Sequence, residues 1–400
     1  MTRKQVFGLC SSVFLMMLGV GMMVPLLPRK VIAISGSVSE TAYLAAFFAV
    51  PYVCFQIPCG RMADRYGYKP FLIAAYALCS LAGLIYRQAG AVETLFVGRL
   101  LQGIGEAPVW ALAPAMLSLQ NPAEKGKLMG LYNAILHLGL TMGPLLGTLF
   151  TGEWAEGEVF LFYSAACALG AVVVGAAVRE PGRKGDETRG GMKREEILLL
   201  VKDGATLPVL TGIVLYGAGY GLFLTIIPGF LMSARGYTTA QTGVFFSLFY
   251  LTLGMSQLVA GPLLDRRGAK PFLVCGLFLA AVGLAGIPGA SGAWTVGFLV
   301  PASLGFGVAC LSSMAYLNGC VSASGKGTVS GLFYLLWGVG YFTGPLAIGE
   351  LGKLADFDKC LLGFAVVVAA NAAAALSKLS SRSCLTVVQK GRNMRLIQRY

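Results

Sequence analysis

The stretch from Gly60 to Leu72 comes back 201 residues later, from Gly261 to Leu273. Gly60, Asp64, Arg65, Gly67, Lys69, Pro70, Phe71 and Leu72 match Gly261, Asp265, Arg266, Gly268, Lys270, Pro271, Phe272 and Leu273. The same offset joins Lys125 and Gly126 to Lys326 and Gly327, Gly130 to Gly331, Gly139 to Gly340, and Gly143 and Pro144 to Gly344 and Pro345. The chain has 400 residues, so the offset is half its length. A single offset kept at several sites means two copies of one unit in tandem, and only duplicated architectures are open to such a chain.

Composition says where the two copies live. Apolar residues make up 56% and charged residues 12%, against about 25% charged in soluble domains. A hydrocarbon core needs about 20 mostly apolar residues per helical span. Twelve such stretches are present, near 5–27, 41–60, 70–88, 94–117, 127–150, 158–178, 206–232, 240–262, 271–289, 293–317, 326–350 and 359–377, six in each copy. The runs are continuous rather than alternating, which excludes a β-barrel reading. The expected fold is all-α and integral to the membrane, with twelve transmembrane helices in two six-helix bundles related by a parallel repeat.

The first span follows Arg3 and Lys4 and could pass for a signal peptide. It is too long and lacks a small-x-small cleavage site, so it reads as an uncleaved helix. Lys and Arg concentrate in alternate connections, which the positive-inside rule places in the cytoplasm with both termini. This accounts for the net charge of +13 without a nucleic-acid partner. The expected organisation is an N-terminal bundle (1–178), a polar cytoplasmic loop (179–205), a C-terminal bundle (206–377) and a basic tail (378–400) near anionic lipid headgroups. Residues 193–203 could form a short surface helix. The ten cysteines contain no C-x-x-C pair and read as packing residues. One histidine and no paired ligands give no metal site. No phosphate-binding glycine loop and no nucleophile–base signature appear, so neither an enzyme nor a cofactor is expected.

Two six-span halves with G-x-x-x-D-R-x-G-x-K after the second and eighth spans resemble the major facilitator superfamily over the whole chain. Further motifs resemble its twelve-helix drug/proton antiporter branch. These are Gly21 to Pro28 with Pro25, Arg99 with Gln102, Gly103 and Gly105, Gly139 to Gly147 with Gly143 and Pro144, and Arg179-Glu180-Pro181. The resemblance implies a monomeric carrier of the inner membrane that moves a small molecule, with protons as the coupling ion. It also implies that Asp64 meets the start of the eleventh span near Lys326 and Gly327. By the repeat, Asp265 meets the start of the fifth near Lys125 and Gly126, so Gly60, Asp64, Arg65, Gly67, Lys69, Asp265, Arg266, Gly268 and Lys270 form an inner gate. Gly139, Gly143 and Gly147, four apart, let another helix approach closely, and Pro144 bends their span. That suits a rocking interface between halves; ordinary helix packing is the alternative, and the copy at Gly340, Gly344 and Pro345 keeps the motif from proving antiport.

Charges inside spans cost roughly 2.5–3.5 kcal/mol or more each, and there are few. Arg99 and Glu106 lie seven residues apart on one helical face, about 10.5 Å along the axis, with Trp110. His137, one turn from Asn133, reads either as a hydrogen-bonded structural residue or as a proton relay. Many members of the branch carry a carboxylate in the first span; here that span has none, which leaves Glu106 as the candidate proton carrier, with Arg99 and His137 beside it. Tyr216, Tyr220 and Phe223, then Phe246, Phe249 and Tyr250, then Tyr334, Trp337 and Tyr341 are cavity candidates for an apolar or aromatic substrate. An uptake carrier, an uncoupled facilitator and a scaffold that has kept the fold remain alternatives.

Overall fold

The computed structural model describes residues 1–24, 26–36, 40–147, 155–180, 194–354 and 356–379. Twelve long helices carry the two copies. The first half holds α1 (Arg3–Met23), α3 (Thr41–Tyr66), α4 (Lys69–Gln88), α5 (Val92–Gln120), α6 (Lys125–Gly147) and α7 (Ala155–Ala177), with the short α2 (Leu26–Ser35). Then α8 (Arg194–Lys202) forms where a surface helix was expected. The second half holds α9 (Leu207–Leu224), α11 (Thr239–Arg267), α12 (Ala269–Gly286), α13 (Ala293–Gly319), α14 (Lys326–Leu354) and α15 (Phe357–Lys378), with the short α10 (Ile226–Arg235). Residues 181–193 of the loop expected at 179–205 and residues 380–400 of the tail expected at 378–400 lie outside the described residues, as does Pro25.

The seventh span, expected at 206–232, is one apolar stretch from Leu207 to Met232 with Thr225 between α9 and α10, and in the first span α1 ends at Met23 with α2 following from Leu26. Pro28 and Pro228, each third in its short helix, lack the N–H that the carbonyls of Val24 and Leu224 would otherwise accept. Lys30 fastens α2 by donating to the carbonyl of Tyr86, 2.6 Å away at the end of α4. Arg235 fastens α10 through the carbonyls of Pro288 and Ala290 and an ion pair with Asp358 at 3.1 Å.

Ten helices among the described residues are long and apolar enough to span a membrane. α5 and α6 are outside that set because they carry Arg99, Gln102, Glu106, Asn133 and His137, all buried inside the bundle. Phe7, Val172, Trp294 and Val366 stand exposed on its outer surface, as a protein covered by lipid requires.

The main crossings between the halves among the described residues are α3 with α14 and α6 with α11, with α5 also meeting α14. The first two are backbone-close at the end of the bundle carrying Arg61, Lys125, Arg266 and Lys326, called the basic end below. A Cβ on Gly327 would lie 2.6 Å from the Gly60 carbonyl oxygen, and one on Gly126 would lie 2.7 Å from that of Gly261. The motif glycines of α6 do something else. A Cβ on Gly143 would lie 2.6 Å from the Leu18 oxygen, and one on Gly139 2.8 Å from the Phe14 oxygen, both on α1 of the same half. Gly340 and Gly344 likewise face Val214 and Ala218 of α9. The expected rocking interface at these positions is therefore corrected. They pack each half internally because they point away from the face that carries Gly126 and Gly130. Gly143→Ala is expected to lower stability by about 1–3 kcal/mol through overpacking. A thermal melt in detergent checks it, with Gly157→Ala, whose site is open, as the unchanged control.

Candidate functional site

The centre of the first half holds a polar ladder on one face of α5. Arg99 donates from Nε to the carbonyl of Leu44 at 3.0 Å and from its terminal nitrogen to Gln102 Oε1 at 2.9 Å. Its guanidinium lies 4.5 Å over the Phe48 ring. Gln102 donates from Nε2 to Glu106 Oε1 at 2.7 Å, and the Trp110 indole donates to Glu106 Oε2 at 3.3 Å. Tyr86 on α4 donates its hydroxyl to Gln102 Oε1 at 2.7 Å. Residues three and four apart on a helix are neighbours, and that spacing builds the ladder. Glu106 is 3% exposed, and Gln102 and Trp110, which donate to it, are both neutral. Arg99 reaches it only through Gln102. Gln102 stands in the Arg99 motif, yet its bridging role had no sequence signal, and Tyr86 had none.

Above the ladder, aromatic rings close the seam between halves. Trp110 stacks on Trp337 of α14 with centroids 6.1 Å apart and planes 17° apart, and meets Tyr334 edge-on at 5.8 Å. Tyr52 on α3 meets Trp337 at 6.2 Å. Behind Trp337 lie Tyr220 at 5.3 Å, Tyr341 at 5.2 Å and Tyr216 at 6.5 Å. Tyr250 and Phe249 back Tyr220 at 6.2 and 5.1 Å, and Phe223 stacks on Phe249. Phe246 meets Phe245 edge-on at 6.3 Å, and Phe245 stacks on Phe223. Ring pairs of this kind contribute about 0.5–1.5 kcal/mol each beyond burial, so the three that cross the seam hold the halves together at mid-depth.

His137 is buried on α6. Its Nδ1 lies 2.7 Å from the carbonyl of Asn133, one turn back, and its ring lies 6.2 Å from that of Tyr250. It makes no ion pair or hydrogen bond with Glu106 among the described residues; it sits instead on the α6–α11 seam, where a Cβ on Gly254 would meet its own Cβ at 3.1 Å. Asn133 is buried beside it.

At the basic end, Asp64 is 8% exposed. It accepts the backbone N–H groups of Gly327 and Thr328, both at 2.8 Å, the Thr328 hydroxyl at 2.7 Å and the Tyr68 hydroxyl at 2.6 Å. Asp265 accepts the N–H groups of Gly126 and Lys127 at 2.7 and 2.8 Å. Each carboxylate thus caps the first turn of a helix from the other half, where the helix dipole is positive. Gly67 and Gly268 close α3 and α11 at φ 106° and 79°, a region glycine enters without a Cβ penalty. Gly67 leaves room for Glu180, whose carboxylate accepts the N–H groups of Tyr68 and Lys69, both at 2.8 Å. The sequence read Glu180 only as the end of a span. Lys69 donates to the carbonyl of Gly175 at 2.6 Å, and Arg65 lies along the Tyr66 ring. Arg266 is exposed, and Lys270 is half-buried.

The family model of the Major Facilitator Superfamily matches residues 9–345 and, again, 209–383. A tetracycline resistance protein, class G, of Vibrio anguillarum is 26% identical over 352 residues, 84% of this chain and 86% of that protein. The quinolone resistance protein NorA of Staphylococcus aureus is 23% identical over 360 residues, 87% of this chain and 90% of that protein. Among solved structures, the human organic anion transporter MFSD10 superposes with a TM-score of 0.80 at 17% identity, covering 93% of this chain and 99% of that one. The transporter FucP in an outward conformation superposes at 0.79 and 14% identity, covering 94% and 99%.

Proposed function

The chain belongs to the major facilitator superfamily, and on that premise we propose that it exports small aromatic or lipophilic molecules in exchange for protons. It is a multi-pass membrane transporter rather than an enzyme. The observation that carries the finer reading is Glu106. A buried carboxyl group with only neutral hydrogen-bond partners is costly as an anion at this depth, and either a proton or a cationic substrate removes the cost. The Trp110–Trp337 stack beside it supplies apolar faces and, through the ring quadrupoles, affinity for cations.

The basic end faces the cytoplasm by the positive-inside rule. With that orientation, the Asp64 and Asp265 contacts seal the inner side, and substrate would leave outward. Export as the direction draws on the resistance proteins among the relatives. One observation favours a second reading, an uptake carrier or uncoupled facilitator: α1 contains no carboxylate.

Inside-out vesicles with an acid interior and a pH-sensitive dye separate these. Addition of tetraphenylphosphonium, ethidium or a neutral aromatic drug is expected to release protons for at least one of them. Counterflow without any proton movement would leave the facilitator as the better account.

A further inference from the structure

The carboxylates are half of what crosses the seam at the basic end. Lys125 and Lys326 are the first residues of α6 and α14, and they are repeat mates. Lys326 lies in the second half and reaches into the first, donating from Nζ to the Ser118 carbonyl and hydroxyl, both at 3.1 Å. Ser118 is fully buried in the last turn of α5. Its carbonyl belongs to the set that a helix end leaves without an internal donor. Lys125 lies in the first half and reaches into the second, donating to the Ala315 carbonyl at 3.1 Å near the end of α13. A Cβ on Gly319, the last residue of α13, would lie 3.2 Å from that ammonium.

From this we infer that Lys125 and Lys326 are positioning residues forming a second latch between the halves, in which each ammonium grips the carboxyl-terminal end of a helix of the opposite half. Cations are stabilised there by the helix dipole and the free carbonyls. Neither lysine is within ion-pair distance of a carboxylate among the described residues. The arrangement is reciprocal. The α14 N-terminus receives Asp64 from α3 and gives Lys326 to α5; the α6 N-terminus receives Asp265 from α11 and gives Lys125 to α13. Every helix end in the set is tied across the seam.

The inference rests on the gating reading of Asp64 and Asp265, and its test is arranged to separate the two.

Nitroxide labels at Met62 and Leu263, exposed repeat mates on α3 and α11, report the opening of the basic end by pulsed EPR distances on the full chain. Lys326→Met and Lys125→Met are each expected to raise the long-distance population about tenfold or more, the range of a lost charge-assisted hydrogen bond. Lys→Arg at either position should restore the short distance, which a merely volume-filling role would not require. Ser118→Ala, which keeps the backbone acceptor, should give a partial shift and guards against loss of folding in the lysine variants. An unchanged distribution in both Lys→Met proteins, with Asp64→Asn shifting it, overturns the latch and leaves the carboxylate gate intact. No shift in any of them overturns both.

Discussion

A Glu106→Gln protein is expected to exchange substrate down its gradient within about threefold of the wild-type rate, and to lose proton-driven accumulation altogether. The substitution keeps shape and volume but removes the one carboxyl group in the polar ladder of α5. The local cost is legible. Glu106 uses one oxygen for Gln102 and the other for Trp110; an amide has a single oxygen, so one donor loses its acceptor at about 1–3 kcal/mol. That is enough to loosen the ladder and too little to unfold a bundle of this size. Glu106→Asp keeps the titrating group one methylene back and should retain weak coupling. Arg99→Ala should impair both exchange and accumulation, because Arg99 holds Gln102, the Leu44 carbonyl and the Phe48 face at once. Counterflow and pH-jump uptake in the same proteoliposomes give the two readouts. Full accumulation in the Gln protein would remove Glu106 from the coupling and turn attention to His137.

Asp64→Asn should slow turnover tenfold or more, and Asp265→Asn only a few-fold, with melting temperatures near wild type in both. Asp64 gathers four hydrogen bonds, among them the hydroxyls of Tyr68 and Thr328. Asp265 accepts two, from backbone N–H groups. Its repeat counterparts of Tyr68 and Thr328 are Ala269 and Lys127, which have no hydroxyl to give. Hydrogen bonds to a charged group contribute about 1.5–3 kcal/mol each, and about 1.4 kcal/mol is a factor of ten. The unequal count therefore translates into unequal loss of the sealed state. Equal losses in the two variants, or none, would remove the basis for ranking them.

The duplication could be read from one offset and the number of long helices from the apolar runs. The meeting of Asp64 with Gly327 came from the family resemblance, and the repeat carried it over to Asp265 and Gly126. The aromatic candidates on α9 and α14 could be read because they fall on one helical face. Other features could not. Gln102 and Tyr86 bond to the ladder through side-chain geometry that periodicity does not encode. Gly139 and Gly143 showed close approach but not to which helix, since small residues at four-residue spacing fit any neighbour. His137 remains on the seam with one ring nitrogen engaged, and its sequence context alone did not distinguish that from a place beside Glu106.

Tyr86 ties α2 to the polar ladder of α5. Its backbone carbonyl, near the end of α4, takes the Lys30 ammonium of α2, and its side-chain hydroxyl donates to Gln102, the amide that in turn donates to Glu106. One residue thus fixes both the place of a short helix and the orientation of the carboxyl group's neighbour, so Tyr86→Phe would free the second while leaving the first in place.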